Sequence, residues 1–207
     1  STLWIERQLN DPYVQKARAE GYRSRAAYKL IEIDERYHVL KRGQTVVDLG
    51  AAPGGWSQVA ANRTGATAAA PVVAIDILPM DPIDGVRHLT QDFAADDAPE
   101  KLITALAGRR PQVVLSDLAP ETTGHRQTDH LRIVHLVELA LEFAQQTLAP
   151  GGTFLATGLS TTDNETLSVA NVVEAGPGRR RTADLDGRRA DAAPSAAGHP
   201  RSRQGRI

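Results

Sequence analysis

The residues whose types and spacing could do chemistry lie in one loop and at a series of apolar-run ends. In VVDLGAAPGGW, Val46 to Trp56, an apolar run closing on Asp48 leads into Gly50, then Pro53-Gly54-Gly55, then a helix expected from Trp56. Glycines let a backbone turn sharply and approach a ligand closely, and a helix N-terminus offers free N–H groups. The spacing is not G-x-G-x-x-G, so a small zwitterionic ligand lying along the loop fits better than a pyrophosphate. Asp76 closes the next apolar run, where its carboxylate can accept hydrogen bonds from ribose hydroxyls. Asp92, in Thr90-Gln91-Asp92-Phe93, lies beyond that run and can reach an adenine amino group; Asp117 closes Val113-Val114-Leu115-Ser116. A glycine loop with acids at successive strand ends describes one crevice.

The elements that must position these groups can be read from the hydropathy pattern. Short runs apolar at consecutive positions, Thr45-Val46-Val47, Val72-Val73-Ala74-Ile75 and Val113-Val114-Leu115, are what a sheet covered on both faces requires. Between them, Trp56 to Asn62, Ala98 to Leu106 and Leu131 to Leu148 have helical spacing, and Pro150-Gly151-Gly152 turns the chain into a further strand, Thr153 to Ala156. The alternation predicts an open α/β fold, a Rossmann-like, mainly parallel sheet with helices on both faces and ligands beyond the carboxyl ends of its strands. Upstream, Pro12 to Leu40 reads as a basic amphipathic helix with Ser24 as a plausible N-cap.

The chain has 207 residues, enough for one domain with a sizeable core. It contains no Cys, which excludes disulfide frameworks, Cys-ligated zinc and thiol catalysis and is compatible with a cytoplasmic location. No apolar run reaches the roughly 20 residues that span a bilayer, and the N-terminus lacks the order of a signal peptide, so no membrane partner is expected. His125, His130 and His135 share no helical face well, and no metal is expected. The formal net charge of −1 hides a strong asymmetry. Residues 1–45 carry 9 basic and 6 acidic side chains, residues 46–175 carry 7 and 16, and residues 176–207 carry 8 and 3. Such segregation divides the chain into a basic N-terminal helical arm (1–45), an acidic core (46–175) and a basic, low-complexity, irregular tail (176–207). Past Gly176 the large aliphatic residues are Leu185 and Ile207 alone, too little apolar surface to offset the entropy of ordering.

The same segments carry a resemblance. SRAAYKL (Ser24 to Leu30), VVDLGAAPGGWSQ (Val46 to Gln58), DILPMDPI (Asp76 to Ile83), QDF (Gln91 to Phe93), VVLSDLAPETTG (Val113 to Gly124), LVELAL (Leu136 to Leu141) and LAPGGTF (Leu148 to Phe154) stand in order over about Asp11 to Phe154. Together they resemble the FtsJ/RrmJ family of S-adenosylmethionine-dependent ribose 2'-O-methyltransferases. The resemblance implies S-adenosyl-L-methionine as methyl donor, held by Gly54, Trp56, Asp76, Asp92 and Asp117. It implies as substrate a ribose, that of a uridine, in large-subunit (23S) ribosomal RNA, and as partner ribosomal RNA or the large ribosomal subunit.

Methyl transfer from a sulfonium to a ribose hydroxyl needs in-line positioning and help with the hydroxyl proton, from a lysine or from a charge that stabilises the developing alkoxide. The family uses a Lys-Asp-Lys-Glu set. By the resemblance its first two members are Lys29 and Asp117, with Lys29 beside the target nucleotide. Arg18, Arg23 and Arg25 are candidate contacts to RNA phosphates, and Tyr22 or Tyr28 to stacked bases. The third member is absent: LATGLSTTDNE places Thr157 at the lysine position, and no lysine follows Lys101. The final glutamate has no counterpart in Arg188 to Ile207. One base out of frame, AAG-GTC-TTT-CAG (Lys-Val-Phe-Gln) yields GGT-CTT-TCA, which reads Gly158-Leu159-Ser160, so a reading-frame shift near Thr157 competes with true divergence as the origin of this segment. The alternative function is a donor- and RNA-binding ribosome-assembly protein with weak or no transfer.

Overall fold

A computed structural model describes residues 12–119, 124–157 and the backbone of 173–174. The described elements are α1 (Pro12–Ala19), α2 (Ala26–Tyr37), β1 (Val46–Leu49), α3 (Gly55–Thr64), β2 (Val72–Asp76), β3 (Val86–Thr90), α4 (Ala98–Leu106), β4 (Val113–Ser116), α5 (Arg126–Thr147), β5 (Thr153–Ala156) and β6 (Val173–Glu174). One sheet holds the strands in the order β3-β2-β1-β4-β5-β6. The first five run parallel, and β6 pairs antiparallel with β5. The expected Rossmann-like sheet with helices on both faces is therefore present.

Side-chain alternation along the central strands divides the core in two. Val47, Leu49, Val73, Ile75 and Val114 point to one face and pack with Leu102 of α4 and Phe143 of α5. Val46, Val72, Val113 and Leu115 point to the other, against Leu30 and Ile33 of α2 and Trp56 and Val59 of α3. Both faces of β1 and β4 are covered, which explains why Val46-Val47 and Val113-Val114-Leu115 are apolar at consecutive positions and why every residue of the two strands is buried.

Five points of the sequence reading change. The Pro12 to Leu40 stretch is two helices, broken at Gly21, whose φ of +81° is disfavoured for other residues. Ser24 does not cap α2: Arg25 precedes the first helical residue, and no side-chain bond closes that end. Ser24 instead packs at the start of α3, its Oγ 2.2 Å from where a Cβ on Gly55 would stand. A strand absent from the sequence reading, β3, lies at the sheet edge, where none of its residues is fully buried and no consecutive apolar run was required. Two helices also begin earlier than their spacing indicated, α3 at Gly55 and α5 at Arg126. The basic 1–45 segment supplies α2 to the main core, while the 176–207 tail and the Gly158-Leu159-Ser160 run lie outside the described residues.

The contact between Gly55 and Ser24 yields a stability prediction. Gly55→Ala displaces the Ser24 hydroxyl and crowds the Ala27 N–H at the start of α2, and should lower stability by about 1 kcal/mol, the low end of the usual penalty of overpacking. Adding Ser24→Ala should recover part of that loss, giving a coupling of at least about 0.5 kcal/mol in a double-mutant cycle of urea midpoints.

Candidate active site

The strand order reverses direction between β1 and β4, and the carboxyl ends of these strands and of β2 face a common crevice. Gly50 leaves β1 with φ +80°, and a Cβ there would stand 3.1 Å from the backbone of Leu118 at the end of β4. Only a glycine fits that approach. The N–H groups of Gly50 and Ala51 both donate to the carbonyl of Ile75, at 2.9 and 3.1 Å, binding the glycine loop to the end of β2.

Asp76 completes that junction. Its Oδ2 accepts from the Ala52 N–H at 3.0 Å and its Oδ1 from the Leu78 N–H at 2.8 Å, so one carboxylate joins the glycine loop to loop 77–83. A carboxylate has about four acceptor positions, which leaves capacity for ligand hydroxyls. Asp92 follows β3 and caps its own turn, with Oδ1 accepting from the Ala94 N–H at 2.9 Å. Asp117 follows β4 and is held by its N–H to the Leu49 carbonyl at 3.1 Å.

These three acids share the lining of a cavity of about 650 Å³ with Gly50, Ala52, Ile75, Ile77, Leu78, Phe93 and Leu118. That volume is within the usual range for small-molecule sites. Helix α5 contributes Arg132, His135 and Leu136 to the same cavity. Sequence reasoning missed this wall, although the i, i+3 spacing of Arg132 and His135 puts both on one helix face.

Gly54 and Trp56 stand outside this lining. A Cβ on Gly54, at φ +113°, would meet Met80 Sδ at 2.8 Å and Ile83 Cδ1 at 2.9 Å, so loop 77–83 occupies the space the missing side chain leaves. Trp56 is buried, and its Nε1–H donates to the Ala26 carbonyl at 2.8 Å, fastening α3 to α2.

That fastening orients Lys29, whose Nζ lies 3.7 Å from Asp117 Oδ1 with both side chains about one-third exposed. The hydroxyl of Thr157 donates to the same Oδ1. The Thr157 N–H bonds the Ser116 carbonyl at 2.9 Å, so the residue extends the β4–β5 ladder and is buried. The pair read as the first two members of the catalytic set thus meet, and the residue at the third position touches one of them. Tyr28, a candidate for base stacking, packs edge-on against Tyr13 and Tyr22, with ring centroids 6.3 and 5.7 Å away. Its hydroxyl donates to Glu20 at 2.8 Å, and loss of solvation and this bond push its pKa up to about 12.

A sequence model of the FtsJ-like methyltransferase family matches residues 22–174. The chain belongs to the FtsJ-like methyltransferase family. It is 66% identical over 157 residues to a protein of Bradyrhizobium sp. (strain ORS 278) named "Ribosomal RNA large subunit methyltransferase E", covering 75% of this chain and 68% of that one. A protein of the same name from Brucella ovis is 58% identical over 171 residues, 82% of this chain and 71% of that one. Among solved structures, a ribosomal RNA methyltransferase from Plasmodium falciparum superposes with a TM-score of 0.61 at 33% identity, covering 68% of this chain and 80% of that one. Membership makes the chain a methyltransferase, whose chemistry requires a methyl donor. Among the described residues no helix is long and apolar enough to cross a membrane.

Asp48, which precedes the glycine loop on β1, is an ionisable group with no access to solvent. It is fully buried; Ser57 Oγ donates to its Oδ2 at 2.6 Å, while Oδ1 has no hydrogen-bond partner. Loss of solvation chiefly raises its pKa to about 7, the Ser57 bond opposes this, and the nearby Asp117 and Asp76 carboxylates add to the rise. A carboxyl whose folded pKa lies above its unfolded value favours folding in its protonated form. That contribution is complete below about pH 4 and is lost as pH rises through about 7. Asp48→Asn should therefore flatten the fall in stability over this window, its advantage over the parent growing from pH 5 to pH 8 in urea unfolding.

Proposed function

We propose that this chain transfers a methyl group from S-adenosyl-L-methionine to the 2'-hydroxyl of a ribose in large-subunit (23S) ribosomal RNA, with a uridine as target. The observation that carries the reading is the Lys29–Asp117 pair at the edge of the acidic crevice. The names of the relatives from Bradyrhizobium and Brucella support ribosomal RNA as the substrate class, which goes with action in the cytoplasm.

The donor set fits this ligand. Asp76, with acceptor capacity beyond its two backbone bonds, suits ribose hydroxyls, and Asp92 suits an amino group. Ile77, Leu78 and Phe93 offer apolar surface for an adenine ring, and three carboxylates favour a positively charged sulfonium over an anion. Gly54 and Trp56 support the site indirectly, through the packing of loop 77–83 and the fastening of α2. When bound, S-adenosylmethionine supplies an electrophilic methyl group.

The chain's own residues supply position and charge. Asp117 orients the Lys29 ammonium, and Thr157 orients Asp117 by a neutral hydrogen bond. A hydroxyl oxygen placed beside Lys29 gains a cation that stabilises it as its proton passes to solvent water, which reaches this partly exposed pair, and the donor's sulfur leaves as a neutral thioether. Residues 1–45 would form the RNA-facing side, 46–175 the catalytic body, and 176–207 a separate basic tail.

Transfer of labelled methyl from S-adenosylmethionine to ribosomal particles, followed by mapping of 2'-O-methyl ribose, tests this reading. Lys29→Ala should lower kcat by about 10²–10⁴ while donor affinity stays within about twofold. Thr157→Lys should raise kcat by restoring a second cation beside Asp117. Transfer unaffected by Lys29→Ala would overturn the assignment, and donor and RNA binding with no transfer by the parent would leave the binding-only alternative.

A further inference from the structure

Arg23 belongs to the basic segment expected to face RNA phosphates, yet its guanidinium is bonded at the surface to the protein's own backbone. Nη1 donates to the Asp81 carbonyl at 2.6 Å and Nη2 to the Pro82 carbonyl at 2.7 Å. The residue is itself pinned: its N–H donates to Gln58 Oε1 at 2.8 Å, and Gln58 Nε2 donates to the Gly21 carbonyl at 3.1 Å. Gln58 lies on α3, the helix that begins at the glycine loop.

Loop 77–83 needs such a grip. Its first residues, Ile77 and Leu78, line the cavity while remaining 56% and 58% exposed, so burial does little to fix them. Hydrogen bonds hold the loop from Leu78 to Asp76, from Val86 to Ile83, and from Arg23 to Asp81 and Pro82. Met80, Ile83 and the Arg23 Cδ together close over Gly54, all within 3.1 Å of where its Cβ would stand. A planar fork with two parallel donors can grip adjacent carbonyls, whereas a lysine offers a point charge.

We propose that Arg23 is a positioning residue for the methyl donor, latching loop 77–83 onto the glycine loop so that the Ile77–Leu78 wall is set before the donor binds. The inference rests on the reading of the cavity as the donor site. It assigns Arg23 to donor affinity rather than to RNA affinity and links the donor wall to the turn that leads into the Lys29 helix.

The test compares the full-length parent with Arg23→Lys, which keeps the charge, and Arg23→Gln. Three readouts are taken: calorimetric titration with S-adenosylhomocysteine, hydrogen exchange of the amides of 77–81 in the ligand-free protein, and the salt dependence of binding to a ribosomal RNA fragment. Both variants should weaken S-adenosylhomocysteine binding about ten- to hundredfold and raise donor KM with kcat at saturation unchanged. They should speed exchange in 77–81 and leave the slope of log affinity against log salt unaltered. Unchanged donor affinity and exchange, with a slope reduced by about one, would make Arg23 a phosphate contact and overturn the proposal. Failure of the parent to bind S-adenosylhomocysteine would overturn the donor reading, and the donor assignment of Arg23 with it; the ligand-free exchange comparison tests the latch separately.

Discussion

The register of β1 is the constraint on which the site depends. Leu49 stands opposite Ile75 on one side and Ser116 on the other, both in parallel ladders. The residues that follow, Gly50, Asp76 and Asp117, therefore stand side by side at one edge of the sheet. A slip of one residue would turn Val47 and Leu49 out of the cluster holding Phe143 and Leu102 and into the one holding Trp56. Burial on both faces makes such a slip expensive, so the same apolar packing that stabilises the sheet aligns the polar groups at its end.

Three carboxylates gathered at that edge are kept apart in character by their partners. Asp76 receives two backbone N–H bonds and acts as a joint between loops; Asp117 receives a hydroxyl and an ammonium. Asp48 has a single hydroxyl donor and no solvent, and its two neighbours make ionisation harder still. Positive charge brought to the edge would ease this crowding. Lys29 already does so from the α2 side, which makes the seating of α2, through Leu30 in the core and the Trp56 bond to Ala26, part of the electrostatics of the crevice.

The central strands and the acids at their ends were legible in the sequence because full burial leaves its mark residue by residue, as consecutive valines followed by a carboxylate. Edge strand β3 left no such mark: Arg87 and His88 stand on its two faces, and none of its residues is fully buried. The pairing of Lys29 with Asp117 came from resemblance to a family, since no local pattern links residues so far apart in the chain. Arg23 was legible as a cation but not as a latch, since its partners are carbonyls, which any residue supplies. Trp56 lies in α3, buried and outside the cavity lining, and the direction of its ring toward Ala26 depends on how α2 crosses α3 and has no local signature.

Thr157 shows the same separation between backbone and charge. Its N–H continues the ladder to Ser116, as a lysine's at this place would, and its hydroxyl still gives Asp117 a donor. What differs is net charge: a neutral donor leaves the Asp117 carboxylate and the Lys29 ammonium to cancel, whereas a second ammonium would leave an excess positive charge at the place where an alkoxide develops. Transition-state stabilisation of this kind depends on preorganised charge more than on the number of hydrogen bonds. Under the proposed function, threonine at this place would slow transfer while leaving the bond to Ser116 in the ladder intact. A lysine restored here would fill one of two gaps in the set, since the final glutamate also has no counterpart in the sequence.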